Sequence, residues 1–308
     1  MAAEGDFLMR YRAVSNKLKK RFLRKPNVAE ASEQFGQLAK ELKQQDCLQY
    51  AAFCDLAMAR CEQTLFNAPG EALALTDAAR LFLLSEKENR ALQAPGFDEH
   101  LQAALNCYSF AIKVYIEMNQ PVMAASLSLE LGNALKEMNR PGEAIVHYQR
   151  AAELQTQQPI ESLLSMGEMA TCKILTRDYD GALSVLTEMQ LMCQERGLQL
   201  PGTSTPVGAF LDIVAKCEIS RVLLLMLLEV STASRRLLCL LIPLHFTSLV
   251  FNSFLQTLTD DVSLLNCVIS LKAENVNAFC SLLPRSCCQS MPRPWRDTPG
   301  SRLTLIVR

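Results

Sequence analysis

The chain is short of the residues on which most chemistry depends. Three histidines (His100, His147, His245) are present, and none has a cysteine or carboxylate at a spacing that signals a nucleophile pair. No GxxxxGKS/T loop cradles a phosphate, and no GxGxxG follows a strand. HExxH, a GxSxG elbow and CxxC are also missing. These absences exclude the common nucleotide, zinc and hydrolase sites, so neither an enzyme nor a cofactor is expected. Charge of one sign is lacking as well: 31 basic and 32 acidic residues leave a net charge of -1, without the basic excess of a nucleic-acid binder. Leu237 to Phe251 is a charge-free run of 15 residues, interrupted by Pro243 and His245. A membrane span needs about 18 to 20 apolar residues, so this run is expected to be a poorly packed tail segment, without stable membrane insertion. The opening MAAEGDFLMRYR has no apolar signal core, so a reducing, cytoplasmic setting with free thiols is expected.

What is present is a core-forming composition, 49% hydrophobic and 20% charged, sized for one large domain or two modest ones. Near neutrality is a cancellation. Residues 1 to 25 carry eight basic and two acidic groups, 26 to 229 carry 15 and 26, and 230 to 308 carry eight and four. The chain is a basic arm, an acidic body and a basic tail. Seven cysteines fall before residue 230 and five (Cys239, Cys267, Cys280, Cys287, Cys288) after it. Cys47, Cys54 and Cys61 recur every seven residues, a spacing that predicts one face of a helix and core packing rather than metal ligation.

Internal repetition is the main positive signal. Pro69-Gly70-Glu71-Ala72 recurs as Pro141-Gly142-Glu143-Ala144, an offset of 72 residues. Alanine, a bulky residue four later and a small or apolar one three further on form a series. Its members are Ala31-Phe35-Leu38, Ala72-Thr76-Ala79, Ala104-Tyr108-Ala111, Ala144-Tyr148-Ala151 and Ala182-Leu186-Met189. In a helical hairpin the alanine permits close approach and the larger residue fills the groove between helices. Turn signals separate the copies: Asn119-Gln120-Pro121, Asn139-Arg140-Pro141, Gln158-Pro159 and Arg177 to Asp180. Leu127, Leu131, Leu135 and Met138 form an apolar stripe between two turns; Leu163, Met166, Met169, Ala170 and Ile174 form another. Helices of about 16 to 20 residues are predicted, and no strand pattern competes before residue 229. With Gly132, Ala144, Tyr148 and Ala151 at consensus spacing, the pattern resembles the tetratricopeptide family. The expected fold is therefore all-α, a tetratricopeptide-like, attachment-protein-like antiparallel helical solenoid.

Ahead of the repeats, Phe7, Tyr11, Val14, Leu18 and Phe22 form one stripe on a helix ending before Pro26, with basic groups on its other faces. Arg10, Lys17, Lys20, Arg21, Arg24 and Lys25 are the candidate partner-binding residues. Three readings stay open for this helix: a capping helix with a solvated basic face, a dock for an acidic protein surface, or a membrane-surface helix, the last disfavoured because the sole tryptophan is Trp295.

The segment from Asp6 to Leu42, with APGEALALTDAARLFL, RDYDGAL and CEISRVLLLMLLE, resembles the family of huntingtin-associated adaptors, over residues 6 to about 228. The resemblance implies a stack of helices similar to the soluble attachment proteins of vesicle fusion. It further implies huntingtin as partner, a link to an early-endosomal Rab GTPase, control of endosome motility between microtubules and actin, and a cytoplasmic, early-endosomal location with a nuclear pool. The alternative function is an attachment-type adaptor for SNARE complexes. The expected organisation is a basic helix over 1–25, repeats over 26–197, a short loop over 198–208 where relatives carry a Pro-rich linker, a Leu-rich helix over 209–229 and a divergent tail over 230–308. Val230-Ser231 can be encoded by a splice-donor sequence, GTGAGT, which makes translated intron the expected source of that tail.

Overall fold

The computed structural model describes residues 2–19, 26–94, 96–196 and 208–227. Ten helices occupy them: α1 Ala2–Leu18, α2 Val28–Gln44, α3 Leu48–Thr64, α4 Ala68–Ala91, α5 Glu99–Glu117, α6 Pro121–Glu137, α7 Pro141–Leu154, α8 Pro159–Leu175, α9 Tyr179–Arg196 and α10 Ala209–Leu227. No strand occurs among the described residues. The helices fall into two units, divided between Arg140 and Pro141. In the first, each helix from α1 to α6 packs on the next; in the second, α7 to α10 do so in turn, and α10 also reaches α8.

The turns enforce this antiparallel order. Six helices end on a residue of positive φ: Asp46, Phe66, Gln93, Asn119, Asn139 and Arg177. In each case the following N–H returns to a carbonyl five residues back, as in Cys47 to Leu42 (2.9 Å), Gln120 to Tyr115 (2.9 Å) and Arg140 to Leu135 (2.9 Å). This hydrogen bond caps the orphan carbonyls of the last turn and reverses the chain within three residues. Asn119 and Asn139 tolerate the left-handed conformation, and Pro121 and Pro141 start the next helix where an N–H would be unpaired.

All fifteen residues of the predicted series are buried, on α2, α4, α5, α7 and α9. Strict hairpin alternation is broken once, because the copies at Ala72 and Ala104 lie on the consecutive helices α4 and α5. α4 is also 24 residues long, beyond the predicted range. Its last buried residues are Leu83, Ser85 and Glu86, and past them no proline or glycine halts it before the turn at Leu92. Gly132 sits in the second half of α6. The cysteine stripe is also shorter than predicted. Cys54 and Cys61 are buried on α3, whereas Cys47 precedes the helix as its N-cap residue and is only half-buried.

Two ion pairs fix the register of α4 and α6. Arg80 grips Glu130 through two bonds of 2.7 Å, and Lys87 reaches Glu137 at 2.7 Å, with both pairs advancing by seven residues on each helix. Equal advance along both chains means that the two helices run parallel, as antiparallel stacking across α5 requires. The ring of Tyr108 from α5 is fully buried beneath this clasp, and its hydroxyl donates to Glu130 Oε1 at 2.7 Å. At the C-terminal end of α4, Asp98 accepts from both Arg90 and Arg140 at 2.8 Å.

Candidate partner-binding surfaces

The predicted stripe of α1 docks as expected in the described residues. Phe7 and Val14 are buried, and the ring of Phe7 stacks on Tyr50 at 4.6 Å while Tyr11 tilts against Phe35 at 5.2 Å. Two of the six candidate basic residues face α2 within the same unit. Arg10 Nη2 lies 2.7 Å from Glu41 Oε2, and Lys17 Nζ donates to Glu30 Oε1 at 3.1 Å and Gln34 Oε1 at 2.9 Å. These contacts latch α1 onto an acidic stripe of α2. All four charged groups stay close to half exposed, so solvent screens both pairs and neither adds much stability. Lys20, Arg21, Arg24 and Lys25 lie outside the described residues, as do Phe22 and the entire 230–308 segment with its apolar run.

A second surface was not singled out by sequence reasoning. While Ala31, Phe35, Leu38 and Leu42 of α2 face the core, Ala29, Ser32, Gly36, Lys40 and Lys43 form a separate stripe at helical spacing. That stripe, with Glu33 and Gln37, walls a groove of about 560 Å³. Asp55, Met58 and Glu62 of α3, with Leu65 at its C-cap, form the floor, and Asp77 comes from α4. The signal that could have disclosed it is this second, small-residue stripe on α2, masked in the sequence by the stronger apolar one.

The floor carboxylates are held in different ways. Ser32 Oγ donates to Glu62 Oε1 at 2.5 Å and Asn67 Nδ2 to Oε2 at 2.6 Å. Asn67 is also the N-cap of α4, its Oδ1 accepting from the Gly70 N–H at 3.4 Å. A Cβ at Gly70 would stand 2.5 Å from Asn67 Nδ2 and 2.9 Å from Glu62 Oε2, so this glycine makes room for the carboxylate at the positive end of α4. Gly142, its counterpart in the repeated Pro-Gly-Glu-Ala, has no such role, since an added Cβ would meet only Thr176 Cγ2 at 3.8 Å. Asp55 is just 2% exposed. Lys43 Nζ stands 2.9 Å from its Oδ2, a charge contact whose angles fall short of a hydrogen bond. Burial pushes the Asp55 carboxyl above the usual carboxylate range, Lys43 pulls it back, and nearby Asp77 adds to the rise.

Several thiols among the described residues are poor nucleophiles. Burial raises the thiols of Cys54 and Cys217 to about 12 and of Cys107 to about 11, which keeps them protonated and inert. His147 is half-buried on α7, and desolvation lowers its pKa. His100 rests its ring over Phe82 at 6.3 Å. No cluster of three metal-ligating side chains occurs among the described residues, and His245, Asp260 and Asp261 lie outside them. Among the described residues, no helix is long and apolar enough to cross a membrane. The arrangement offers surfaces for binding.

Comparison with known proteins agrees with this architecture. The 40-kDa huntingtin-associated proteins of Rattus norvegicus and Mus musculus are each 47% identical to this chain over 272 residues, covering 73% of it and 71% of their own length. The sequence profile described as soluble NSF attachment protein, SNAP, matches residues 15–198, from α1 to just past α9. Helix stacking, buried repeat positions and this match together place the chain in the soluble NSF attachment protein family.

Proposed function

We propose that this chain is a non-enzymatic helical adaptor that binds and stabilises huntingtin and connects it to an early-endosomal Rab GTPase, acting on endosome motility in the cytoplasm. The observation that carries the reading is the 47% identity, spread over nearly three quarters of this chain and of two proteins named for huntingtin association. Such coverage exceeds a single shared hairpin and extends over most of the helix stack. The physical character of the molecule supports the same role. A repeat stack presents long faces of side chains not used by its core, and the body over 1–229, with 23 basic and 28 acidic residues, offers both signs to a large partner.

Co-expression with huntingtin, followed by affinity capture and size-exclusion chromatography, tests this. A co-eluting complex that survives physiological salt is expected, with a higher yield of soluble chain than expression alone. Stable free chain with no capture of huntingtin would overturn the reading. The family match favours one second reading, an adaptor for SNARE bundles. Capture of assembled SNARE complexes in the absence of huntingtin would select it.

A further inference from the structure

We propose that the groove walled by α2 and α4 and floored by α3 is a receptor for a cationic α-helix of a partner protein, seated lengthwise with Lys or Arg side chains against Glu33, Asp77 and Asp55. The inference concerns the chemistry of the occupant and stands apart from the identity of the partner proposed above.

Shape argues for a helix. The wall from Ala29 to Lys43 spans 14 residue steps of α2, about 21 Å at 1.5 Å per residue, the length of a four-turn helix. Its inner positions Ala29, Ser32 and Gly36 are small, which keeps this wall low, and Gly36 leaves room for Met58, whose Sδ an added Cβ would approach to 3.2 Å. An extended peptide would find no matching partner, because the backbone groups of both walls are already bonded within their own helices and no strand edge occurs among the described residues. Met58 and Leu65 supply the apolar contact, and methionine adapts to irregular side chains.

Charge argues for a cation. Four carboxylates and two lysines line the groove. Ser32 and Asn67 immobilise Glu62, and Lys43 stands against Asp55, but Glu33 and Asp77 make no hydrogen bond or salt bridge with another described residue. The groove therefore retains a negative balance after its internal pair is counted. Asp55 supplies the independent sign of a ligand: it is almost wholly buried, it lines the groove, and its Oδ2 receives no hydrogen bond of acceptable geometry. A buried carboxylate with one imperfect partner is completed by a second N–H donor. The same balance of charge disfavours an anionic occupant of this groove, an acidic lipid headgroup included.

The test uses the full chain and fluorescein-labelled 16-residue peptides read by anisotropy. One is an Ala/Leu helix with lysines three and four residues apart, the second replaces each lysine with glutamate, and the third keeps the lysines but carries two central prolines. Saturable binding of the lysine helix is expected, weakening several-fold between 50 and 200 mM salt. The glutamate helix should not bind, and the proline peptide should bind at least about tenfold more weakly. Combining Glu33→Lys with Asp77→Lys should cost the lysine helix at least about tenfold and confer binding of the glutamate helix, a gain that an unfolded variant cannot give. Gln37→Trp, a steric block on the exposed wall that leaves charge unchanged, should also abolish binding. If the lysine helix fails to saturate, or binds both variants as it binds the parent, the proposal is wrong. Equal affinity for the proline peptide would overturn the commitment to a helix.

Discussion

Removing the hydroxyl of Tyr108 isolates one bond in the clasp that joins α4, α5 and α6. In Tyr108→Phe the ring keeps its place in the core, so no cavity forms, and what disappears is the 2.7 Å donation to Glu130 Oε1. A hydrogen bond to a charged acceptor contributes about 1.5–3 kcal/mol. The lower end applies here, because the Glu130 side chain is 32% exposed and keeps both bonds from Arg80, so water can occupy the vacated lone pair. We expect a loss of about 1.5 kcal/mol, equivalent to a Tm decrease of about 3–6 °C for a chain of this size. Urea unfolding followed by circular dichroism at 222 nm measures it, and the slope should not change, since no surface is newly exposed. The loss should also depend on pH. Arg80 and Tyr108 hold the Glu130 carboxyl below its ordinary value of 4.5. Its contribution is therefore complete above that value and disappears as pH falls through the lowered folded-state value. Glu130→Gln combined with Tyr108→Phe should show a coupling of about 1 kcal/mol. A Tyr108→Phe variant within about 0.3 kcal/mol of the parent at pH 7 would show that water serves Glu130 as well as the hydroxyl does, and the clasp argument would fail.

Other consequences follow from burial and backbone geometry. Phe35→Ala should cost about 3–5 kcal/mol in the same assay, because the ring is fully buried between α1 and α3 and contacts Tyr11; a loss below about 1 kcal/mol would contradict the core assignment. Phe66 adopts φ 56° with its side chain 95% exposed, so Phe66→Gly relieves strain without sacrificing packing and should stabilise by about 0.5–1 kcal/mol. Brief alkylation at pH 8, read by peptide mass spectrometry, should label Cys47 well ahead of Cys54, Cys107 and Cys217, whose thiols are buried and raised. Asp55→Asn should flatten the pH dependence of stability just above the ordinary aspartate value. A raised carboxyl makes the folded parent bind more protons than the unfolded one there, so its stability falls as pH rises through that window. An unchanged slope would show that Asp55 titrates as an exposed group does.

Much of the stack was legible from local chemistry. Alanine at a repeated offset from a larger residue has few explanations other than close helix contact, and each of the fifteen positions chosen on that basis is buried. The turns at 119–121 and 139–141 were equally legible, because asparagine and proline each have a backbone reason to be there, whereas those at Asp46, Phe66 and Gln93 were not read from the sequence. The groove was not. Glu33, Asp55, Glu62 and Asp77 are ordinary acidic residues in an acidic stretch, and only the packing of α2, α3 and α4 brings them together. The candidate basic residues show the converse. Arg10 and Lys17 stood out by composition, yet what they meet was set by the acidic stripe of α2 lying alongside.

Periodicity, small residues and turn formers thus determined by themselves that the chain is helical, antiparallel and repetitive, since those properties depend on neighbours within a few residues. Which helices carry consecutive copies, how far α4 extends, and where buried charge finds a partner were decided by tertiary structure. Asp55 is the clearest instance. Its ionisation, its lysine partner and the open space before it depend on groups 12 and 22 residues away in sequence, which no local pattern can rank.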